Sequence, residues 1–219
     1  MDTELLATRL HIPPPVRHAV ARPRLLAALE RGMLEARLAL VSAPAGYGKT
    51  TLLSQWASAT NLPVAWLTVD VRDNDANHFL RYLLEAWATI QPHIRDSMAG
   101  VLLGGVEPDR DRVLAAFVNA ANELPGHAAL VFDDAHLIEN PGIHDVLNFL
   151  LNHLPQTVPV VLAGRGDPPL ALARRRARGE LLELRGEDLR FDADEARRFL
   201  GEGMELHLGV DETARLNAE

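Results

Sequence analysis

An α/β fold, a parallel sheet covered by helices on both faces, is what this sequence of 219 residues predicts. Three observations carry that expectation. Short β-rich runs alternate with longer helical patterns. The runs are apolar at successive positions, as strands buried on both faces are. A glycine-rich segment of phosphate-binding form joins the first run to a helix.

Taken in order, residues 8–20 are proline-rich and read as an extended arm. They lead into a short helix with Leu25, Leu26 and Leu29 on one side. Strands are expected at 38–42, 64–69, 129–133, 158–163 and 181–184. Helices are expected between them at 50–59, 76–90, 110–124, 143–154 and 170–178. In the second of these, Phe79, Tyr82, Leu83, Ala86 and Trp87 recur at three- and four-residue steps and so form one buried face. After the last strand, Asp192 and Glu195 have the spacing of a capping box and announce a new helix. The expected organisation is an arm and helix at 1–36 packing on the nucleotide site, a main domain at 37–190, and the start of a helical domain at 191–219. The last segment is too short to close a core, so the chain reads as a piece of something longer.

Composition narrows the classes. Apolar residues make up 47% and charged residues 24%, which is ordinary globular usage and argues against a disordered or fibrous chain. Cysteine is absent, so disulfides and thiolate metal sites are excluded. No run approaches the roughly 18 to 20 apolar residues of a membrane span, and the first residues lack a signal-peptide pattern. A cytoplasmic protein with no membrane partner is the expectation. A net charge of −8 repels a phosphate backbone, so any DNA contact should lie in a region absent from this chain.

The chemistry is concentrated in APAGYGKT, residues 43–50, with Ala43 in the first glycine position of the phosphate loop. A polyphosphate needs converging backbone N–H groups, and Gly46 and Gly48 permit the close, tightly turned backbone that supplies them. Ala45, Tyr47 and Thr51 belong to the same contact set. The helix N-terminus adds unpaired N–H groups and a positive dipole end, Lys49 adds a charge for the β- and γ-phosphates, and Thr50 offers a hydroxyl to magnesium. A plain strand-to-helix turn is the competing reading. ALVFDD, residues 129–134, has the Walker B form, an apolar strand ending in two acids. Asp133 can reach magnesium, directly or through water, and Asp134 is the candidate general base. Either acid could instead cap the loop that follows. His136 could sense phosphate or be an ordinary loop histidine. Asp70 and Asp73 read as caps, and the nine histidines show no metal spacing.

Arg165 closes the fourth strand. In phosphate-loop proteins of the additional-strand (ASCE) class this strand inserts between the phosphate-loop and Walker B strands. The expected sheet order is therefore 5-1-4-3-2, with Arg165 at the γ-phosphate end as a sensor candidate. Arg174, Arg175, Arg176 and Arg178 read as a solvated face near a helix end, with an inter-subunit or DNA role as the competing reading.

These residues carry a family resemblance. APAGYGKTTLLSQW, VAWLTVDVRDND, LVFDDAHLI, VLAGRGDPPLALARRRARGEL and LRFDADEARRFL together resemble the ATPase domain of the MalT-type, large LuxR-like transcriptional regulators, of the STAND class of P-loop NTPases. The resemblance covers nearly the whole chain. It implies a switch holding ATP or ADP with Mg2+, closed and monomeric with ADP and self-associating with ATP. It assigns Lys49 and Thr50 to phosphate and magnesium, Asp133 and Asp134 to Walker B, and Arg165 to the sensor. It also places Arg22 of the arm near the base or ribose. DNA binding and inducer sensing lie in parts of such regulators that this chain lacks. A small-molecule kinase and a non-hydrolysing scaffold are the readings from other classes. A kinase should carry an arginine-bearing lid, which is not evident, and two Walker B acids argue against the scaffold.

Overall fold

The computed structural model describes residues 5–16, 19–95 and 110–203. Five parallel strands form one sheet: β1 (Leu38–Ser42), β2 (Val64–Thr68), β3 (Ala129–Asp133), β4 (Val160–Gly164) and β5 (Leu181–Arg185). Their order is β2-β3-β4-β1-β5, as the strand insertion predicts. Parallel register sets Ser42 beside both Gly164 and Arg185, and Thr68 beside Asp133. The carboxyl ends of the strands therefore line up along one edge, where ligands of open α/β sheets bind.

Strand alternation divides the core in two. Leu38, Leu40, Leu130, Phe132, Val160 and Leu162 face one side. There they meet α3 (Ala76–Ala88), α4 (Arg110–Glu123) and α5 (Pro141–His153) through Phe79, Trp87, Phe117 and Leu150. Ala39, Val41, Val131 and Val161 face the other side, against α1 (Pro23–Glu35) and α2 (Lys49–Ala59), which contribute Leu25, Leu29, Met33 and Trp56. Each fully buried large side chain is worth about 1.5–3 kcal/mol relative to exposure, so both layers hold the sheet edge rigid. α1 comes close to β5 at Gly32, where an added Cβ would lie 2.4 Å from Leu182 Cδ2.

Departures from the expected boundaries have local causes. β4 begins at Val160 because Pro159 has no N–H for the ladder. α5 begins at Pro141, two residues before the apolar pattern, because Asn140 accepts a hydrogen bond from Gly142 N at 2.8 Å and proline suits the first helical position. α6 is short, Leu172–Ala177, entered through left-handed Ala171. The arm is not extended throughout: Ala7–Leu10 forms a 3-10 turn. Buried Arg9 ties that turn to β2 and α3, donating to Thr68 O at 2.9 Å, pairing with Asp73, and lying 4.0 Å over the Tyr82 ring. Asp70 and Asp73 are the expected caps, and Asp73 is also the buried partner of Arg9 and His78.

In the basic run Arg174, Arg176 and Arg178 are exposed, as a solvated face requires, and Arg175 departs from it. Arg175 is buried, donating to Asn152 Oδ1 at 3.0 Å. Arg176 pairs with Glu183 at 2.7 Å, and this arginine, with burial opposing and Arg185 assisting, holds the Glu183 carboxyl down at about 2. After the short helix α7 (Gly186–Leu189), the capping box forms as the spacing predicts. Asp192 accepts from the N–H groups of Asp194 and Glu195 at 3.0 and 2.8 Å, Glu195 Oε2 accepts from Asp192 N at 3.1 Å, and α8 (Ala193–Arg198) follows.

Candidate nucleotide site

Residues 43–48 wind tightly between β1 and α2. Gly46 and Gly48 stand at φ 84° and 73°, the left-handed region where a Cβ costs about 1–2 kcal/mol. Both glycines thus take the tightly turned conformation that a residue without a Cβ adopts at no steric cost. Ala45 and Gly46 are exposed on the outer rim of the loop, and Tyr47 is half-buried, its ring beside Gly186. Lys49 is only 8% exposed and donates Nζ to Ala43 O at 2.8 Å and Pro44 O at 2.9 Å. The ammonium is thus folded over the loop rather than turned to solvent. Burial holds it below the ordinary lysine range, opposed by Asp134 and Asp133 and reinforced by Arg165.

Thr50 donates its hydroxyl to Asp133 Oδ2 at 2.7 Å, joining the first turn of α2 to the end of β3. Asp133 is 2% exposed, and its other oxygen accepts from Asp134 N at 3.0 Å. Burial pushes its carboxyl up, with the Thr50 hydrogen bond opposing. A hydroxyl and a buried carboxylate short of positive charge suit a hard divalent cation. Among the described residues no cluster of three or more histidine, cysteine or acidic side chains could hold a metal alone. A cation here would be completed by phosphate oxygens and water, as magnesium commonly is.

Asp134 takes a left-handed conformation, φ 54°, unusual for a residue with a Cβ, and its side chain makes no capping bond to the turn it opens. The plain-cap reading therefore fails for this acid. Strain of this kind, of order 1 kcal/mol, recurs at functional sites because it aims a side chain away from its local partners. The carboxylate is half-exposed, 3.8 Å from His136 Nδ1. Burial, then the charge of Arg165, favours neutral imidazole at His136, and its Nδ1 has no hydrogen-bond partner. Arg165 stands exposed just past β4, near enough to Lys49 and His136 to depress both. Gly164 before it fits close under the next turn, since a Cβ there would lie 3.3 Å from His136 N.

Beside the phosphate loop a cleft of about 410 Å³ opens between three parts of the chain. Val16, Val20 and Arg22 come from the arm, Thr51, Leu52 and Gln55 from α2, and Leu189, Phe191 and Phe199 from the segment leading through α8. Arg22 is buried here: Nη1 donates to Leu189 O at 2.8 Å and Nη2 to Arg190 O at 2.7 Å and Glu195 Oε2 at 3.0 Å, its guanidinium lies 5.0 Å over the Phe191 ring, and its buried Nε has no hydrogen-bond partner. Gln55, Phe191 and Glu195 were not anticipated as site residues. The capping-box spacing marks Glu195 only as a helix start, and the folding of the arm against α8 is what brings the three together.

Residues 33–168, from the end of α1 to just past β4, match the family described as AAA domain. The chain belongs to the AAA domain family. That span holds every site residue expected from the motifs except Arg22. Over 217 residues the chain is 37% identical to the HTH-type transcriptional regulator MalT of Klebsiella pneumoniae, covering 97% of the chain and 23% of the regulator. The chain thus spans less than a quarter of that relative, and the resemblance to MalT-type regulators holds for this part. Among solved structures it is similar to a signal transduction ATPase with numerous domains, with a tetratricopeptide repeat sensor, from Pyrococcus horikoshii. The TM-score is 0.59 and the identity 17%, over 93% of this chain and 28% of that one. A Walker-type ATPase of Pyrococcus abyssi gives a TM-score of 0.55 and 15% identity, over 94% of this chain and 65% of the other. At such identities the likeness is one of fold. Among the described residues no helix is long and apolar enough to cross a membrane.

Proposed function

We propose that this AAA domain binds ATP with Mg2+, hydrolyses it slowly to ADP and phosphate, and serves as the nucleotide switch of a signal-responsive transcriptional regulator. One observation carries the reading: Lys49, the Thr50–Asp133 pair, strained Asp134 and Arg165 converge at the carboxyl edge of β1, β3 and β4.

The residues divide the work. Loop amides at 46–50 and the α2 N-terminus hold the phosphates, and Lys49 exchanges its carbonyl partners for β- and γ-phosphate oxygens. Thr50 and Asp133 would hold the cation, which supplies positive charge to the phosphate oxygens as negative charge shifts toward the leaving group. Asp134 orients the attacking water and accepts its proton as the new bond to the γ-phosphorus forms and the bond to the β-phosphate oxygen breaks. Arg165 pairs with γ-phosphate oxygens and loses that partner on hydrolysis, which makes it the sensor. In the full-length regulator the ATP state favours an open, self-associating form and the ADP state a closed one; DNA binding lies in regions outside this chain.

Phosphate release from ATP tests the assignment. Asp134→Asn should lower turnover by 10²-fold or more, the scale of a lost general base, while ATP binding persists. Equal release by both proteins would reject Asp134 as the base.

A further inference from the structure

Gln55 lies on α2 behind the phosphate loop and is one of the residues lining the cleft between the arm and the segment leading through α8. Its Nε2 donates to Val20 O of the arm at 3.2 Å. That bond decides the orientation of the amide, because a carbonyl oxygen can only accept, so the nitrogen must face Val20 and Oε1 must face the other way. Oε1 is buried and has no hydrogen-bond partner. A buried acceptor left unpaired is unfavourable, and such atoms in native proteins usually await a water or a ligand. The other walls beside it, Val16, Val20, Leu52, Phe191 and Phe199, are apolar and suit a flat heteroaromatic ring.

We propose that Gln55 Oε1 accepts a hydrogen bond from the exocyclic amine of the nucleotide base and so selects 6-aminopurines over 6-oxopurines. The proposal rests on the nucleotide reading above and adds the residue that reads the base. Adenine presents a donor at position 6. Guanine presents a carbonyl oxygen there, which would set acceptor against acceptor at a buried oxygen. The same amide joins the base to the arm through Val20 O, so the contact that reads the base also fixes the arm beside it.

Calorimetry with ATP, GTP and purine riboside triphosphate, which carries hydrogen at position 6, tests this on the wild-type chain and on Gln55→Leu. The wild type should bind ATP about tenfold tighter than the 6-hydrogen analogue, the scale of one buried hydrogen bond, and should discriminate against GTP at least as strongly. In Gln55→Leu the ratio of ATP to analogue should fall to within about twofold. A loosened arm would weaken both nucleotides alike and leave that ratio untouched, so the ratio isolates the amide oxygen. Equal affinity of the wild type for ATP and the analogue overturns the assignment without any variant. So does a tenfold ratio that survives in Gln55→Leu. Failure of the wild type to bind any of the three overturns the nucleotide reading itself, and this inference with it.

Discussion

Lys49 spends its charge on two carbonyl oxygens of its own loop, at 2.8 and 2.9 Å, in a place where burial disfavours the ammonium. A polyphosphate offers that ammonium a stronger partner, because charge-assisted bonds are worth about 1.5–3 kcal/mol against roughly half that for neutral ones. Lys49→Ala should therefore weaken ATP binding by at least ~1.5 kcal/mol, an order of magnitude in Kd. Titration calorimetry returning wild-type affinity would remove the lysine from the site. At this scale much was legible beforehand. Gly46 and Gly48 sit where only a residue without a Cβ is comfortable, and Thr50 meets Asp133 across 83 positions as the two motifs together require. Gln55, Arg175 and the strain at Asp134 were not legible, because each depends on what a distant segment does with its polar groups.

The elements show a similar division. Strands with every residue buried, such as β1 and β3, match the expected bounds to the residue because nothing competes with burial on both faces. Ends set by a single chemical group were displaced, as at Pro159 before β4 and Asn140 before α5. The arm illustrates what periodicity misses, since its attachment is made by buried cations: Arg9 docks on Asp73, and Arg22 bridges α7 and α8 through Leu189 O, Arg190 O and Glu195. The Arg22–Glu195 pair is nearly fully buried, with side-chain exposures of 6% and 2%. Removing one member of such a pair strands the other charge, typically at about 3–5 kcal/mol. Arg22→Ala should thus release α8 from the main domain, read as faster amide exchange at Ala196–Arg198 with the β1 amides still protected. Adding Glu195→Gln keeps the acceptor for Asp192 N but removes the stranded charge, so the double variant should recover part of the protection. Exchange in the double variant as fast as in Arg22→Ala would place the effect elsewhere.

At the scale of the whole molecule, the cleft draws its walls from the arm, from α2 behind the phosphate loop and from the segment beyond β5. The overall order of strands could be foreseen because right-handed parallel crossovers and the strand insertion leave few alternatives. The cleft itself could not, because its two outer walls belong to segments without a strong hydrophobic period. A ligand that touches all three parts binds the folded chain and not the unfolded one, and its binding free energy adds to stability. At a hundredfold excess over Kd the gain is about 2.7 kcal/mol, and for a domain of this size each kcal/mol raises Tm by roughly 2–4 °C. ATP with magnesium should accordingly raise the melting temperature by about 5–10 °C. Inorganic triphosphate reaches the loop but not the arm or Phe191, so its gain should be smaller. Hydrogen exchange then separates a bridge from a local effect: with ATP, amides in both α1 and α8 should slow, whereas triphosphate should protect the loop and α2 alone. Protection confined to the loop with ATP would mean that the arm and α8 do not respond to the nucleotide, and a switch operating through them would have to be abandoned.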